Sequence, residues 1–395
     1  VSLTKKQQQI IATILDKIYA ERPISRIDIA KHTGITPATV SSVTADLIQN
    51  KHIEELGETK EQLKAGRKKI LLDIPKRQYY YIGSEISQSR FTFVLTDNTG
   101  EVIYKKKMSN STTLSTNSVE DYIDALSSFI EEIEQNVEAI GVSLPGHYNQ
   151  ENPDYILTNN PCWKTFDLKK LKQSFSVPIY FENNVNAMAL AKRLLSDEIH
   201  SDNFIYFHVG HGMHYSYMFK KQLYSKDNFL IGEIGHTIVN PDGELCECGK
   251  YGCLQTYASE TWLMKKAKLL HEKSSSTFLR EFTNDANALT LDQLLDASEL
   301  GDRAVTALLH QATKYLAVSL TNLNMMIDAK KVFVHGKLFK NKQLINLLRE
   351  HLAAKPLLQG FEHKQEISIE SYDSFNGAVG GVAVALTYHL IAFPS

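Results

Sequence analysis

No stretch of this sequence limits the possible folds more than His236–Cys253. Within 18 residues it carries one imidazole, His236, and three of the chain's four cysteines, Cys246, Cys248 and Cys253. One His and three Cys make a complete tetrahedral donor set for zinc. The Cys-x-Cys-Gly-x-x-Gly-Cys spacing favours that reading over three buried thiols beside an unrelated histidine. Four protein ligands close the shell and leave no position for water, so the expected cofactor is a structural Zn2+. The bunching of the cysteines also argues against a disulfide framework and for a reducing compartment.

At 395 residues the chain has length for two or three domains, each with its own core. No apolar run approaches the 18 residues of a membrane span, and the first residues, Val1 to Gln7, lack the apolar centre of a signal peptide. The expectation is a cytoplasmic protein with no membrane partner. The formal charge of −2 is uneven: residues 1–77 carry +5 and the remainder −7. A basic head suits a polyanion, but ordinary surface variation accounts for the difference equally well.

The head reads as three helices and a hairpin. Ile10, Ile11, Ile14, Leu15 and Ile18 line one helical face, which Pro23 ends. Ser25 and Asp28 have capping spacing for a second helix that closes near Gly34, and Thr36-Pro37 caps a third. Val40, Val43, Leu47 and Ile48 are its expected inward face. Two strands, 53–57 and 69–74, would flank a basic loop as a wing. Two helices joined by a tight turn and followed by a wing form a winged helix-turn-helix pattern, although a small three-helix packing unit could share it.

In that reading the third helix enters the major groove with Thr36, Ala38, Thr39, Ser41, Ser42 and Thr44 outward. Such small residues suit hydroxyl contacts and thymine methyls. Arg26, Lys31 and Lys51 around it, with Lys64, Arg67, Lys68 and Lys69 in the wing, would meet phosphates or a narrow minor groove. The expected partner is double-stranded operator DNA.

After Pro75 the periodicity changes. Strands at Tyr80–Ile86, Phe91–Asp97 and 101–105 precede a helix over 118–135. A buried strand over Val137–Leu144, a strand at Ile179–Glu182 and a helix from Asn184 to Leu195 follow. A second α/β half starts at Phe204 and runs through the cysteine segment to a strand at Lys331 and a closing helix over 378–391. The aromatic run Tyr79–Tyr81 reads as strand packing. His208, His211 and His214, spaced by three, read as loop residues, with a second metal site the weaker alternative.

These landmarks together resemble the ROK family of repressors, open reading frames and sugar kinases. The resemblance rests on Gly232-Glu-Ile-Gly-His236 followed by the cysteine pattern, and on Gly141-Val-Ser-Leu-Pro-Gly146, Asn160-Pro-Cys-Trp163 and Glu182-Asn-Asn-Val-Asn186. It implies an α/β, two-lobed actin/hexokinase-like (ribonuclease H-like) fold behind the winged head. The implied domains are 1–75, a first lobe over 76–185 with the returning helix at 378–391, and a second lobe over 186–377.

Departures from the family pattern then carry the functional expectation. The kinases' catalytic Asp falls at Asn184, whose carboxamide cannot act as a base, a loss of about 10²–10⁴ in rate. Glu182 is expected to face elsewhere. Glu85–Ser89 replaces the first phosphate loop, Gly210-His-Gly-Met-His-Tyr-Ser the second, and His335-Gly336-Lys337 the adenosine-side Gly-Gly. No catalytic residue and no ATP are therefore expected. By resemblance the sugar contacts are Pro145, Gly146, Asn183, Asn184, Glu233, His236 and Gln255, with His236 also on zinc. The expected function is a sugar-responsive transcriptional regulator, a repressor binding operator DNA as a homodimer or larger oligomer, with a sugar or sugar phosphate as effector. The alternatives are an active sugar kinase with an appended head and a repressor whose effector is a protein.

Overall fold

The computed structural model describes residues 4–58, 69–88, 90–109, 118–196, 203–224, 228–353 and 366–392. Two compact units result, 1–200 with 374–395, and 201–373.

The first unit begins with α1 (Lys5–Glu21), β1 (Ile24–Ser25), α2 (Arg26–Thr33) and α3 (Pro37–Gln49). Ser25 caps α2 and Thr36 caps α3 through their hydroxyls, and Gly34 turns between them at φ 73°. β2 (Glu54–Glu58) pairs antiparallel with β3 (Ile70–Asp73), and β1 joins the other edge of β3. This three-stranded sheet, in the order β1-β3-β2, accompanies the three helices.

β4 (Tyr80–Ile86), β5 (Arg90–Asp97) and β6 (Val102–Ser109) form an antiparallel meander. α4 (Val119–Glu131) crosses to β7 (Val137–Leu144), which lies parallel to β4. A hairpin, β8 (His147–Asn149) and β9 (Asn152–Leu157), and the short α5 (Leu168–Gln173) lead to β10 (Ile179–Asn183), parallel to β7. The strand order is β10-β7-β4-β5-β6. β4, β5 and β7 are covered on both faces and so read as near-continuous apolar runs, whereas the outer strand β6 presents Lys105–Lys107. Tyr122, Leu126 and Phe129 of α4 pack on Phe91 and Phe93, with the Phe93 and Phe129 rings stacked at 5.3 Å. α6 (Asn184–Leu195) follows β10 directly.

The second unit repeats that order of events. β11 (Phe204–Val209), β12 (Met213–Phe219) and β13 (Gln222–Leu223) form the meander. After the cysteine segment come α7 (Gln255–Ala258), α8 (Glu260–Lys273), α9 (Leu279–Phe282), α10 (Leu291–Glu299) and α11 (Arg303–Met326). β14 (Lys331–His335), α12 (Lys342–Leu352) and β15 (Glu366–Ile369) complete a sheet of order β13-β12-β11-β14-β15, with β14 parallel to both β11 and β15. Leu309, Leu316, Leu320 and Leu323 form the buried stripe of α11 at helical spacing.

The chain then returns to the first unit as α13 (Asn376–Ala385) and a following wide turn over Leu386–Ile391. Here the helix touches the sheet backbone: a Cβ on Gly141 would stand 1.8 Å from the Gly381 carbonyl oxygen. Only glycine permits that approach.

Two expected boundaries shift. The division anticipated at 185/186 would cut α6 after its second residue, but α6 packs on α13 inside the first unit; Gly380 lies against Ala187 without room for a Cβ. Nor is the head a separate compact unit. The Tyr19 hydroxyl donates to the Asn98 carbonyl at 3.0 Å, Arg22 to the Thr99 carbonyl at 2.8 Å, and Asp16 of α1 pairs with Arg193 of α6. Asn98 also fixes the connection, accepting from the Gln78 and Tyr79 amides and donating to the Pro75 carbonyl.

Candidate metal centre, sugar contacts and DNA-reading head

The cysteine segment folds back on the short turn Ile234–His236 through isolated bridges, Ile238 to Cys253 and Leu245 to Tyr251. Backbone bonds from Val239 N to Gly252 O and from Cys246 N to Lys250 O lock the loops. One nitrogen or sulfur from each of His236, Cys246, Cys248 and Cys253 then falls within 4.8 Å of the others. His236 Nδ1 is 3.6 Å from Cys246 Sγ, and Cys248 Sγ is 3.6 Å from Cys253 Sγ. A tetrahedral zinc, with bonds of about 2.3 Å to sulfur and about 2.0 Å to nitrogen, sets its ligand atoms about 3.6–3.8 Å apart. The donors therefore fit such an ion. Burial, with Cys248 and Cys246 alongside, pushes the Cys253 thiol up to about 12. A divalent cation reverses that preference by favouring thiolate.

His236 turns Nδ1 toward the thiols, which leaves Nε2 for another partner. Glu233 opens the same short turn, and its Oε1 lies 3.4 Å from His214 Nδ1. Gln255 is buried at the start of α7, with Nε2 donating to Glu247 at 2.9 Å. His208, His211 and His214 do not act as one set. His208 instead meets His335, Nδ1 to Nδ1 at 2.9 Å with stacked rings, and burial holds its pKa well below the usual imidazole value.

In the first unit, Asn183 caps α6: its Oδ1 accepts from the Val185 and Asn186 amides while Nδ2 donates to the Gly146 carbonyl at 3.2 Å. One amide hydrogen remains for a ligand. Pro145 is half-buried, and Gly146 sits against Ile156 and Leu157. Glu182 is held by its surroundings, its oxygens accepting from Asn183 N, Asn186 Nδ2 and the Tyr388 hydroxyl. Asn184, the first residue of α6, lies close enough to Glu85 for its side chain to favour the carboxylate. Burial lifts Glu85 to about 7, against the opposing pull of Arg90 and Asn184. Sequence reasoning registered Glu85 only as a missing glycine loop; a carboxylate at the end of an apolar strand was the available signal.

On the head, Thr36, Ala38, Ser41 and Ser42 are exposed and Thr39 half-buried. Thr44 is a correction. It is fully buried, with its hydroxyl donating to the Val40 carbonyl at 2.8 Å and accepting from Arg26 Nε at 2.9 Å. Val40, Thr44 and Leu47 stand at i, i+4 and i+7, one helical face, while Val43 and Ile48 lie only half-buried beside it. Arg26 also pairs with Glu55 at 2.7 Å and Lys69 with Asp28 at 2.9 Å, so both cations are already engaged within the head. Lys31 and Lys51 are exposed. Lys64, Arg67 and Lys68 of the wing, like Ser89 of the first loop, lie outside the described residues.

Comparison with known proteins agrees with this arrangement. The ROK family profile matches residues 81–388. The xylose repressor of Bacillus subtilis (strain 168) is 25% identical over 350 residues, 87% of this chain and 86% of that protein. The crystal structure of a ROK family transcriptional regulator, a homologue of the E. coli Mlc protein, superposes with a TM-score of 0.76 at 21% identity, over 98% of this chain and 97% of that one. A ROK family glucokinase from Streptomyces griseus, in complex with glucose and AMPPNP, matches with a TM-score of 0.64 at 22% identity, over 77% of this chain and 98% of its own. The fold is thus the α/β, kinase-like architecture of two lobes.

Proposed function

This chain belongs to the ROK family, and we propose that it is a sugar-responsive transcriptional repressor of carbohydrate-utilisation genes whose kinase-like units bind a sugar without phosphorylating it. The observation that carries the reading is the helical head: a relative named a xylose repressor is matched over 98% of this chain, and α3 presents a row of small exposed residues. Thr36, Ala38, Thr39, Ser41 and Ser42 would read the major groove, with Lys31 and Lys51 on phosphates. A homodimer presenting two heads would suit a two-fold operator.

The sugar-contact groups are the free Asn183 amide hydrogen, Asn184 and the Pro145–Gly146 loop in the first unit. In the second they are Glu233, Gln255 and His236 Nε2. A structural Zn2+ held by His236 Nδ1, Cys246, Cys248 and Cys253 would fix the turn that carries Glu233 and the His236 ring. Ligand contact at the start of α6 reaches the head because the last turn of that helix holds Asp16 of α1.

The test is a selection of operator fragments by the full chain, followed by gel shifts with a sugar panel. A selected sequence whose affinity falls when a sugar is added is the expected result; failure to enrich any sequence would refute it. One observation favours a second reading, an active kinase: Glu85 is a carboxyl of near-neutral pKa beside Asn184. ADP release above background with a sugar and ATP would establish that activity.

A further inference from the structure

Glu85 is the penultimate residue of β4, where the first turns of α6 and α13 come close to it. A Cβ added to Gly377 would lie 2.1 Å from the Glu85 carboxyl carbon and 2.4 Å from both oxygens, so the carboxyl rests on bare backbone in the first turn of α13. The residue at the N-cap of that helix is Phe375, whose side chain makes no capping hydrogen bond. On the other side the carboxyl lies close enough to Asn184, which begins α6, for that side chain to favour its charged form. Two helix N-termini therefore face one protein carboxyl, in surroundings whose partial positive charge otherwise favours phosphate.

We propose that Glu85 is a specificity-determining residue that holds this position against phosphate, so that the sugar bound at Asn184 is an unphosphorylated one. The proposal rests on the sugar reading of Asn184 and narrows its ligand class. A hydroxyl held by the Asn184 amide is about 3 Å from it, and the Glu85 carboxyl is near enough to that side chain to be acted on by it. A phosphate on that hydroxyl would therefore stand close to a carboxylate.

The penalty has a ceiling, because Glu85 can take up a proton instead. Arg90 of β5 is the charge that acts on it, and the facing turns of α6 and α13 contain no charged residue. With the carboxyl lifted to about 7 by burial, admitting a phosphate costs about twofold in affinity at pH 7 and roughly 30-fold at pH 8.5.

Calorimetric titration of the full, zinc-containing chain with xylose, glucose, N-acetylglucosamine and a phosphate ester of each, at pH 7 and 8.5, tests this. One free sugar should bind, with a margin over its ester that widens by roughly an order of magnitude between the two pH values. Glu85→Gln should abolish the widening, and Glu85→Asp, which keeps the charge, should retain it. An ester that binds wild-type protein as tightly as its free sugar at pH 8.5, or a margin unchanged in Glu85→Gln, would overturn the role of Glu85 while leaving sugar binding intact. Absence of binding by every sugar and ester would overturn both readings.

Discussion

Replacing Glu85 by glutamine should make the protein more stable in alkali and leave it nearly unchanged in acid. The folded state lifts this carboxyl from the ordinary 4.5 to about 7, chiefly by burial. Between those values the folded chain binds more protons than the unfolded chain, so the wild type loses stability as pH rises through this window. At about 1.4 kcal/mol per unit, the window carries about 3 kcal/mol. Below pH 4.5 Glu85 is protonated in both states and the contribution of its charge vanishes. Above 7 the wild type carries a buried negative charge that glutamine lacks. The gap between variant and wild type should therefore open from near zero at pH 4.5 to about 3 kcal/mol at pH 8.5. For a unit of this size that is roughly 6–12 °C in melting temperature. Parallel melts of the two proteins from pH 4.5 to 9 measure the difference, in which other titrating groups cancel. Parallel curves, or a variant less stable than wild type at pH 8.5, would refute the buried-carboxyl account.

Metal analysis should find about one zinc per chain, and Cys253→Ser should lose it. The destabilisation should be about 3 kcal/mol, the scale for a cross-link closing a loop of about 15 residues; undiminished zinc would contradict the four-ligand site. Thr44→Ala and Ser42→Ala separate packing from recognition. The first should lower stability by about 1 kcal/mol with little change in the bases read, and the second should alter DNA affinity without moving the melt. Lys31→Ala should weaken binding to all sequences alike and flatten the salt slope by about one. Asp16→Asn should speed amide exchange in α1 without lowering sugar affinity; unchanged exchange would dissociate this pair from holding the head.

The clustering of the four candidate metal ligands was legible in the sequence because all four lie in one short segment, where local spacing and spatial proximity nearly coincide. The caps Ser25, Thr36 and Asn183 were similarly local, and the strands of both meanders followed from apolar runs bounded by polar turns. Thr44 was misplaced for the opposite reason. Its hydroxyl suggested a surface residue, but helical geometry puts it under Val40, where the Val40 carbonyl and Arg26 satisfy the oxygen. The environment of Glu85 was illegible because it depends on Gly377, nearly three hundred residues later in the chain, and on a helix that returns to the first unit from the far end. No local pattern reports such a contact.

That long-range return also shapes how a bound ligand could be felt at the head. α6 starts at Asn184 and ends beside Arg193, two residues before its last helical position, so one rigid element of about 18 Å carries a candidate sugar contact at one end and the partner of Asp16 at the other. Glycine-mediated packing of α13 against the sheet and α6 leaves little slack between them, since Gly381 and Gly380 approach backbone on both sides. A displacement at Asn184 would therefore not be absorbed locally. It would move α6 as a body or shift the sheet with it, and in both cases the Asp97–Gly100 turn and Arg193 bear on α1 together. Tyr19 and Arg22 bind that turn while Asp16 binds the helix, so α1 is held at separate points by two elements of the same lobe. Such a joint would turn a small change of angle between sheet and α6 into a tilt of α1 and the helices packed on it, whereas a flexible tether would discard it.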